Sequence, residues 1–120
     1  MKVLIATQTD VYARRLASRL SQYEVHICHS GTDALELLNQ ERPTALIIDL
    51  CLPVVDGLTV LRASQFRPYA ILAITNLATG QVIHEAAAAG IKDIVLVPCS
   101  TKHIAERFEA LLQSIPSLGI

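Results

Sequence analysis

The chain has 120 residues, of which 52% are hydrophobic and 18% charged, and its ten basic and eleven acidic side chains give a formal net charge of -1. This length suits one domain with its own core, and the low charge excludes a disordered chain. The balanced charge provides no basic patch for nucleic acid or an anionic membrane. We therefore expect a single domain over residues 1–120, with the tail from about residue 114 as a candidate linker.

Cysteine usage and hydropathy indicate a cytoplasmic protein. Cys28, Cys51 and Cys99 form no C-x-x-C pair, which favours reduced thiols. No apolar run approaches the roughly 18 residues that a membrane span needs. The four histidines show no spacing typical of metal ligands.

Strands and helices are predicted to alternate along the chain. Short apolar runs, typical of buried strands, begin near Val3, Val25, Ala45, Ala70 and Ile94. The first helix is predicted to start after Thr9 or Asp10, with Asp10 as the favoured capping residue. The second runs from about Thr32 to Gln40, with Ser30 and Asp33 near its start.

The remaining three helices are predicted in the same alternation with strands. Helix three is predicted after Asp56 and Gly57, and helix four spans about Gln81 to Ala89 with Gly90 as its stop. Helix five carries a buried stripe and ends by Pro116; the stripe is Ile104, Phe108, Leu111 and Leu112.

This alternation predicts an α/β fold, a doubly wound five-strand parallel sheet with helices on both faces. Ligands of such sheets gather at the carboxyl ends of the strands. The residues predicted to lie there are Thr7, Gln8, Asp49, Cys51, Leu52, Thr75, Asn76, Val97 and Pro98.

The segment from Asp49 to Gly57, DLCLPVVDG, resembles the phosphoacceptor loop D-x-x-(L/M)-P-x-x-D-G of response-regulator receiver domains in two-component signalling. The resemblance covers nearly the whole chain. It implies a flavodoxin-like sheet in strand order 2-1-3-4-5, Asp49 as the phosphoacceptor, and Thr75 as the hydroxyl that binds a phosphoryl oxygen. It also implies that Pro98 follows a cis peptide bond.

The chain departs from the family pattern at charged positions. The acidic pair that holds Mg²⁺ in the family would fall at Thr7 and Gln8, the lysine at Val97, and the aromatic switch residue at Ile94. Mg²⁺ favours carboxylate oxygens, and phosphoryl transfer depends on charge neutralisation. Asp49 alone predicts a weak metal site and no firmly bound cofactor. Asp10 is the one nearby carboxylate that would rescue the metal site.

Two main functions follow, and neither makes the chain an enzyme. The first is an atypical receiver that acts mainly as a protein interaction module, with weakened or lost Mg²⁺-dependent phosphorylation. The alternative is a functional receiver, phosphorylated on Asp49 by a histidine kinase. A minor alternative is a flavodoxin-like FMN-binding protein, suggested only by the segment Thr7 to Thr9.

Protein partners are expected on the side formed by helix four, strand five and helix five, where receiver domains dimerise. The partners implied are a histidine kinase, a downstream output protein or domain, or a second copy of the chain. The residues predicted for this interaction face are Glu85, Asp93, His103 and Arg107.

Overall fold

The computed structural model describes residues 1–116, which form five strands and five helices in strict alternation. The strands are Lys2–Ala6 (β1), Glu24–Cys28 (β2), Ala45–Asp49 (β3), Ala70–Thr75 (β4) and Asp93–Leu96 (β5). The helices are Asp10–Arg19 (α1), Gly31–Glu41 (α2), Gly57–Ala63 (α3), Gly80–Ala88 (α4) and Thr101–Gln113 (α5). The last residues of the predicted tail, 117–120, lie outside the described part.

The strands form one parallel sheet in the order β2-β1-β3-β4-β5, which confirms the predicted doubly wound fold. β3 pairs with β1 on one side and β4 on the other, and its first four residues are fully buried. A strand covered on both faces must be apolar throughout. Asp49 is therefore the first polar side chain of β3, at the carboxyl edge of the sheet.

Two apolar cores flank the sheet. One packs α2, α3 and α4 against it, with Leu38, Leu61 and Ala86 among its buried residues. The other packs α1 and α5, with Leu16 and Phe108 at its centre. Because α1 follows β1 and α5 follows β5 in a parallel sheet, the N-terminal turns of both helices lie near the sheet edge where Asp49 lies.

Helix boundaries follow local capping chemistry, with one correction. The Ser30 side chain accepts from the backbone N–H of Asp33 at 3.1 Å, and Gly90, at φ 91°, lies just past the end of α4, as predicted. Asp10, however, is not the cap of α1. Thr9 occupies the cap position without a side-chain bond, and Asp10 is the first helical residue. Its carboxylate accepts from Arg14 Nε and lies beside the His29 ring instead.

The ends of the other elements lie within one or two residues of the predictions. Helix α5 ends at Gln113, before Pro116. Across residues 1–116, no helix combines the length and hydropathy needed to span a membrane.

Candidate functional site

A pocket of about 320 Å³ opens at the carboxyl edge of the sheet. It lies where β1, β3, β4 and β5 end, and it combines five of the predicted residues with three further ones. The lining residues are Thr7, Asp49, Asn76, Val97 and Pro98, together with Thr9, Tyr12 and Ile74. Asp49 is the only charged side chain among these eight, which determines what the pocket can hold.

The Asp49 carboxylate is half-buried at the end of β3. Its Oδ1 accepts the backbone N–H of Cys51 at 2.8 Å, and the nearby Thr7 hydroxyl also favours the ionised form of the carboxylate. Burial nevertheless outweighs both effects and raises the pKa of Asp49 above its ordinary value of 3.8. A carboxylate with a cation beside it would shift in the opposite direction.

The other predicted site residues lie around the pocket rather than in its wall. Gln8 is exposed, and the Cys51 thiol faces the Asn76 side-chain oxygen at 3.6 Å. The buried Thr75 hydroxyl donates to the Leu77 carbonyl at 3.2 Å and accepts the Leu77 N–H at 3.1 Å. Thr75 thus stabilises the turn after β4. Ile94 is half-buried and packs against the core beneath α4.

The loop after Asp49 is held by its own motif residues. The Asp56 carboxylate caps α3 by accepting the Thr59 N–H and the Thr59 hydroxyl, both at 2.9 Å, and these bonds lower the pKa of Asp56. Gly57 lies so close to β3 that a Cβ there would be 2.7 Å from the Asp49 carbonyl oxygen. Asp56 and Gly57 are therefore required by the loop geometry itself.

The Asp10 carboxylate is engaged by side chains outside the pocket wall. Its carboxylate accepts from Arg14 Nε at 2.7 Å and lies 3.0 Å from His29 Nε2. The other ring nitrogen of His29 lies 2.8 Å from the Thr7 carbonyl oxygen. Asp10 is absent from the pocket wall, and residues 1–116 contain no group of three His, Cys, Asp or Glu side chains able to hold a metal ion. The residues around Asp49 do not fit Mg²⁺.

Tyr12 is a pocket residue that the sequence pattern did not indicate. Its hydroxyl donates to the Cys99 carbonyl at 3.3 Å, beside the cis peptide bond between Val97 and Pro98 that the family resemblance implied. Burial first, then the nearby Cys99 and the Asp49 carboxylate, raise the pKa of Tyr12 to about 12. The phenol is therefore neutral at pH 7. Its position in the first turn of α1, directly after the end of β1, is the sequence feature that could have indicated a pocket residue.

Of the four residues predicted for the interaction face, only Asp93 and Arg107 pair with each other. Arg107 Nε and Nη2 donate to the two oxygens of Asp93 at 2.9 and 2.5 Å, so α5 and β5 are joined. Glu85 instead faces Arg62 of α3 at 3.7 Å, and His103 is exposed on α5. Between α4 and β5 lies an apolar groove of about 460 Å³, which Ile83, Ile94 and Leu96 help to line.

A parallel sheet in this order, with an aspartate ending its central strand and a Pro53, Asp56 and Gly57 loop behind it, defines a receiver-type signalling domain. The family model of the response regulator receiver domain matches residues 3–109. The chain belongs to that family.

Individual relatives agree with this assignment. Response regulator MprA of Mycobacterium ulcerans is 31% identical over 119 residues, an alignment that covers 94% of this chain and 51% of that protein. The chain therefore spans about half the length of the curated relatives it matches. A solved response regulator from Chloroflexus aurantiacus superposes with a TM-score of 0.76 at 28% identity, over 93% of this chain and 97% of that one. A CheY-like receiver from Methanospirillum hungatei reaches a TM-score of 0.84 at 20% identity, over 94% of both chains.

Proposed function

We propose that this receiver domain acts mainly as a protein interaction module in two-component signalling, and not as an enzyme, with Mg²⁺-dependent phosphorylation of Asp49 weakened or lost. The observation that carries the proposal is the wall of the Asp49 pocket. Thr7 and Val97 stand at two strand ends there, and Asp49 is the only ionised group among the described residues of the wall.

Electrostatics gives the scale of the expected loss. Two unit charges about 4 Å apart interact by roughly 4 kcal/mol at an effective dielectric of 20, before desolvation is subtracted. Each decade of affinity corresponds to about 1.4 kcal/mol. Replacing a carboxylate pair with Thr7 and Gln8 is therefore expected to lower Mg²⁺ affinity by several decades. Val97 offers no ammonium to a phosphoryl oxygen.

Retention of the loop motif does not argue against this proposal. Asp56 caps α3, and Gly57 fits against the Asp49 backbone. Both residues would be needed by a receiver fold that never takes phosphate. The retained Thr75 hydroxyl likewise has a structural partner in Leu77.

Intact-mass spectrometry tests the proposal directly. The protein is incubated with acetyl phosphate and Mg²⁺ and compared with Asp49→Asn. We expect no phosphoryl adduct on either protein. An adduct on the parent chain alone would overturn the proposal in favour of the alternative, a receiver phosphorylated by a histidine kinase.

A restored variant provides the positive control. Thr7→Asp, Gln8→Asp and Val97→Lys together return the three family charges to the pocket edge. We expect this triple variant to bind Mg²⁺ and to form an adduct that Asp49→Asn removes from it. The same purified samples test the minor flavin alternative, because bound FMN would give visible absorption.

We place the protein contact on the face formed by α4, β5 and α5. Its support is exposed apolar surface: Ile83 and Leu96, which line the groove between α4 and β5, are 49% and 58% exposed. The Asp93–Arg107 pair borders this surface. An apolar patch with a charged rim is typical of protein interfaces.

Analytical ultracentrifugation of Leu96→Asp tests this contact for a second copy of the chain. If the face mediates dimerisation, the variant is monomeric at concentrations where the parent self-associates. Val11→Asp on α1, a position 59% exposed, is the matched control and should leave association unchanged. Equal behaviour of both variants would exclude a dimer through this face.

A further inference from the structure

We infer that the Asp49 pocket binds a protonated alkylamine, the chemistry of a lysine side chain presented by a partner protein. The inference rests on the proposed function, because it requires a pocket that Mg²⁺ and phosphate do not fill. It names the kind of group that the interaction module would recognise.

The carboxylate has capacity left for such a group. An ionised carboxylate offers about four lone-pair positions. The Cys51 N–H takes one of these positions, and the nearby Thr7 hydroxyl interacts with the carboxylate at most at one more, so at least about half of that capacity remains. Asp49 lines the pocket, where an incoming donor would meet it. An ammonium group supplies three donors and needs no acceptor in return.

The rest of the wall suits the same ligand. Thr9 and Asn76 carry side-chain oxygens that would accept the remaining ammonium N–H groups. Ile74, Val97 and Pro98 form apolar surface that would contact an alkyl stem, which lysine commonly buries while its charge stays solvated or paired. The volume of about 320 Å³ lies at the lower end of the range for small-molecule sites, roughly 300–1,000 Å³.

Charge selects a monovalent cation over the other candidates. An anion would meet Asp49 with no compensating cation among the described residues of the pocket wall. A divalent hard ion would meet one carboxylate, although it prefers several oxygen ligands. A single ammonium balances a single carboxylate. Its arrival would also offset the burial that raises the pKa of Asp49.

Tyr12 shapes the entrance on the α1 side. Its hydroxyl donates to the Cys99 carbonyl, and Tyr12 is one of the residues that line the pocket. Aromatic faces attract cations when the two lie within about 6 Å. A neutral aromatic residue in the wall is thus compatible with a bound cation and adds no competing charge.

Nuclear magnetic resonance titration of the ¹⁵N-labelled chain with n-butylammonium chloride tests the inference. At pH 7 and constant ionic strength, we expect saturable shifts of the Thr7, Cys51 and Asn76 amides. Neutral n-butanol, which has the same alkyl chain, should produce at least tenfold weaker binding. Equal binding of the alcohol, or shifts that never saturate, would contradict an ammonium site.

Two independent pocket variants are used, so that the test still gives an answer if one of them fails to fold. Asp49→Asn removes the charge, and Val97→Lys places the chain's own ammonium at the end of β5; each should weaken binding at least tenfold. Glu36→Gln, which removes an exposed acid on α2, is the matched control and should bind like the parent. Unchanged affinity in both pocket variants would overturn the inference.

Two lysine derivatives test whether the bound amine can be a lysine side chain. Nα-acetyl-lysine amide should bind, and its Nε-acetylated form, which lacks the charge, should not. Binding of n-butylammonium alone would overturn the assignment to a lysine side chain. None of these outcomes depends on phosphorylation, so a failure here is distinguishable from an adduct in the mass experiment.

Discussion

Replacing Gly31 by alanine should disturb the loop that carries Asp49, although the two residues lie on different elements. Gly31 is the first residue of α2, and its N–H donates to the Pro53 carbonyl at 3.1 Å. A Cβ at Gly31 would lie only 1.7 Å from the backbone oxygen of Val55. Because the obstacle is backbone, no side-chain rotation relieves the clash.

The structure sets the size of the effect. Cβ contacts below 3.0 Å essentially do not occur, so α2 and the loop must separate by at least 3.0 − 1.7 = 1.3 Å. Overpacking typically costs about 1–3 kcal/mol, and loss of the Gly31–Pro53 bond adds about 1 kcal/mol. We expect Gly31→Ala to lower the free energy of unfolding by about 2–4 kcal/mol, which for a chain of this size lowers Tm by roughly 8–16 °C.

Thermal and urea unfolding, followed by circular dichroism, measure this change. Gly80→Ala is the matched control, because a Cβ added at this first residue of α4 would project into open space, with no packed group within 4 Å. It should be neutral or stabilising by up to about 1 kcal/mol. If Gly31→Ala proves as stable as Gly80→Ala, the reasoning from the close contact with Val55 is refuted.

Three further predictions concern the loop after β3, the Asp49 carboxylate, and the ion pair between α5 and β5. Val54 is 86% exposed at φ 71°, a left-handed conformation that costs a branched residue about 1–2 kcal/mol, so Val54→Gly should raise stability by roughly 0.5–1 kcal/mol in urea unfolding, with Val54→Ala giving clearly less. Burial raises the pKa of Asp49, so the native state holds its proton to higher pH than the unfolded state and stability falls as pH rises above 3.8. Asp49→Asn should therefore be more stable than the parent at pH 7 and lose that advantage at pH 3; an advantage that grew on acidification would contradict the assignment. Arg107→Ala should cost at most about 1 kcal/mol, and less in 1 M salt, because the pair with Asp93 is part-exposed; an unchanged cost in high salt would indicate packing instead of charge.

The sheet and the position of Asp49 were predictable because one physical requirement fixes both. Strands buried on both faces must be continuously apolar, and five such runs with helical intervals admit few arrangements. Asp49 ends one of these buried runs, so its place at the carboxyl edge followed directly. Thr7 and Val97 followed from the same logic, since β1 and β5 run parallel to β3.

Contacts between elements were not predictable from local pattern. Asp10 has the chemistry of a cap, but sequence does not show that Arg14 and His29 draw its carboxylate away. Tyr12 lies beside Ala13 on the edge of the helix stripe, where periodicity cannot distinguish a core residue from a pocket residue. Its contact with the Cys99 carbonyl joins residues that are far apart in the chain. Such pairings depend on how α1 and α5 pack.

The loop after β3 shows why a matching motif and a working reaction are separate questions. Asp56 caps the N-terminus of α3, and Gly57 packs so closely against the backbone of Asp49 and Leu50 that a side chain would clash there. Selection for folding alone would keep both residues. Thr7, Gln8 and Val97 have no comparable structural obligation to be charged, since a carboxylate or ammonium at these positions would serve chemistry only. The strand ends that depart from the family pattern are therefore the positions that bear on phosphorylation. The loop that matches the family pattern is evidence for the fold only.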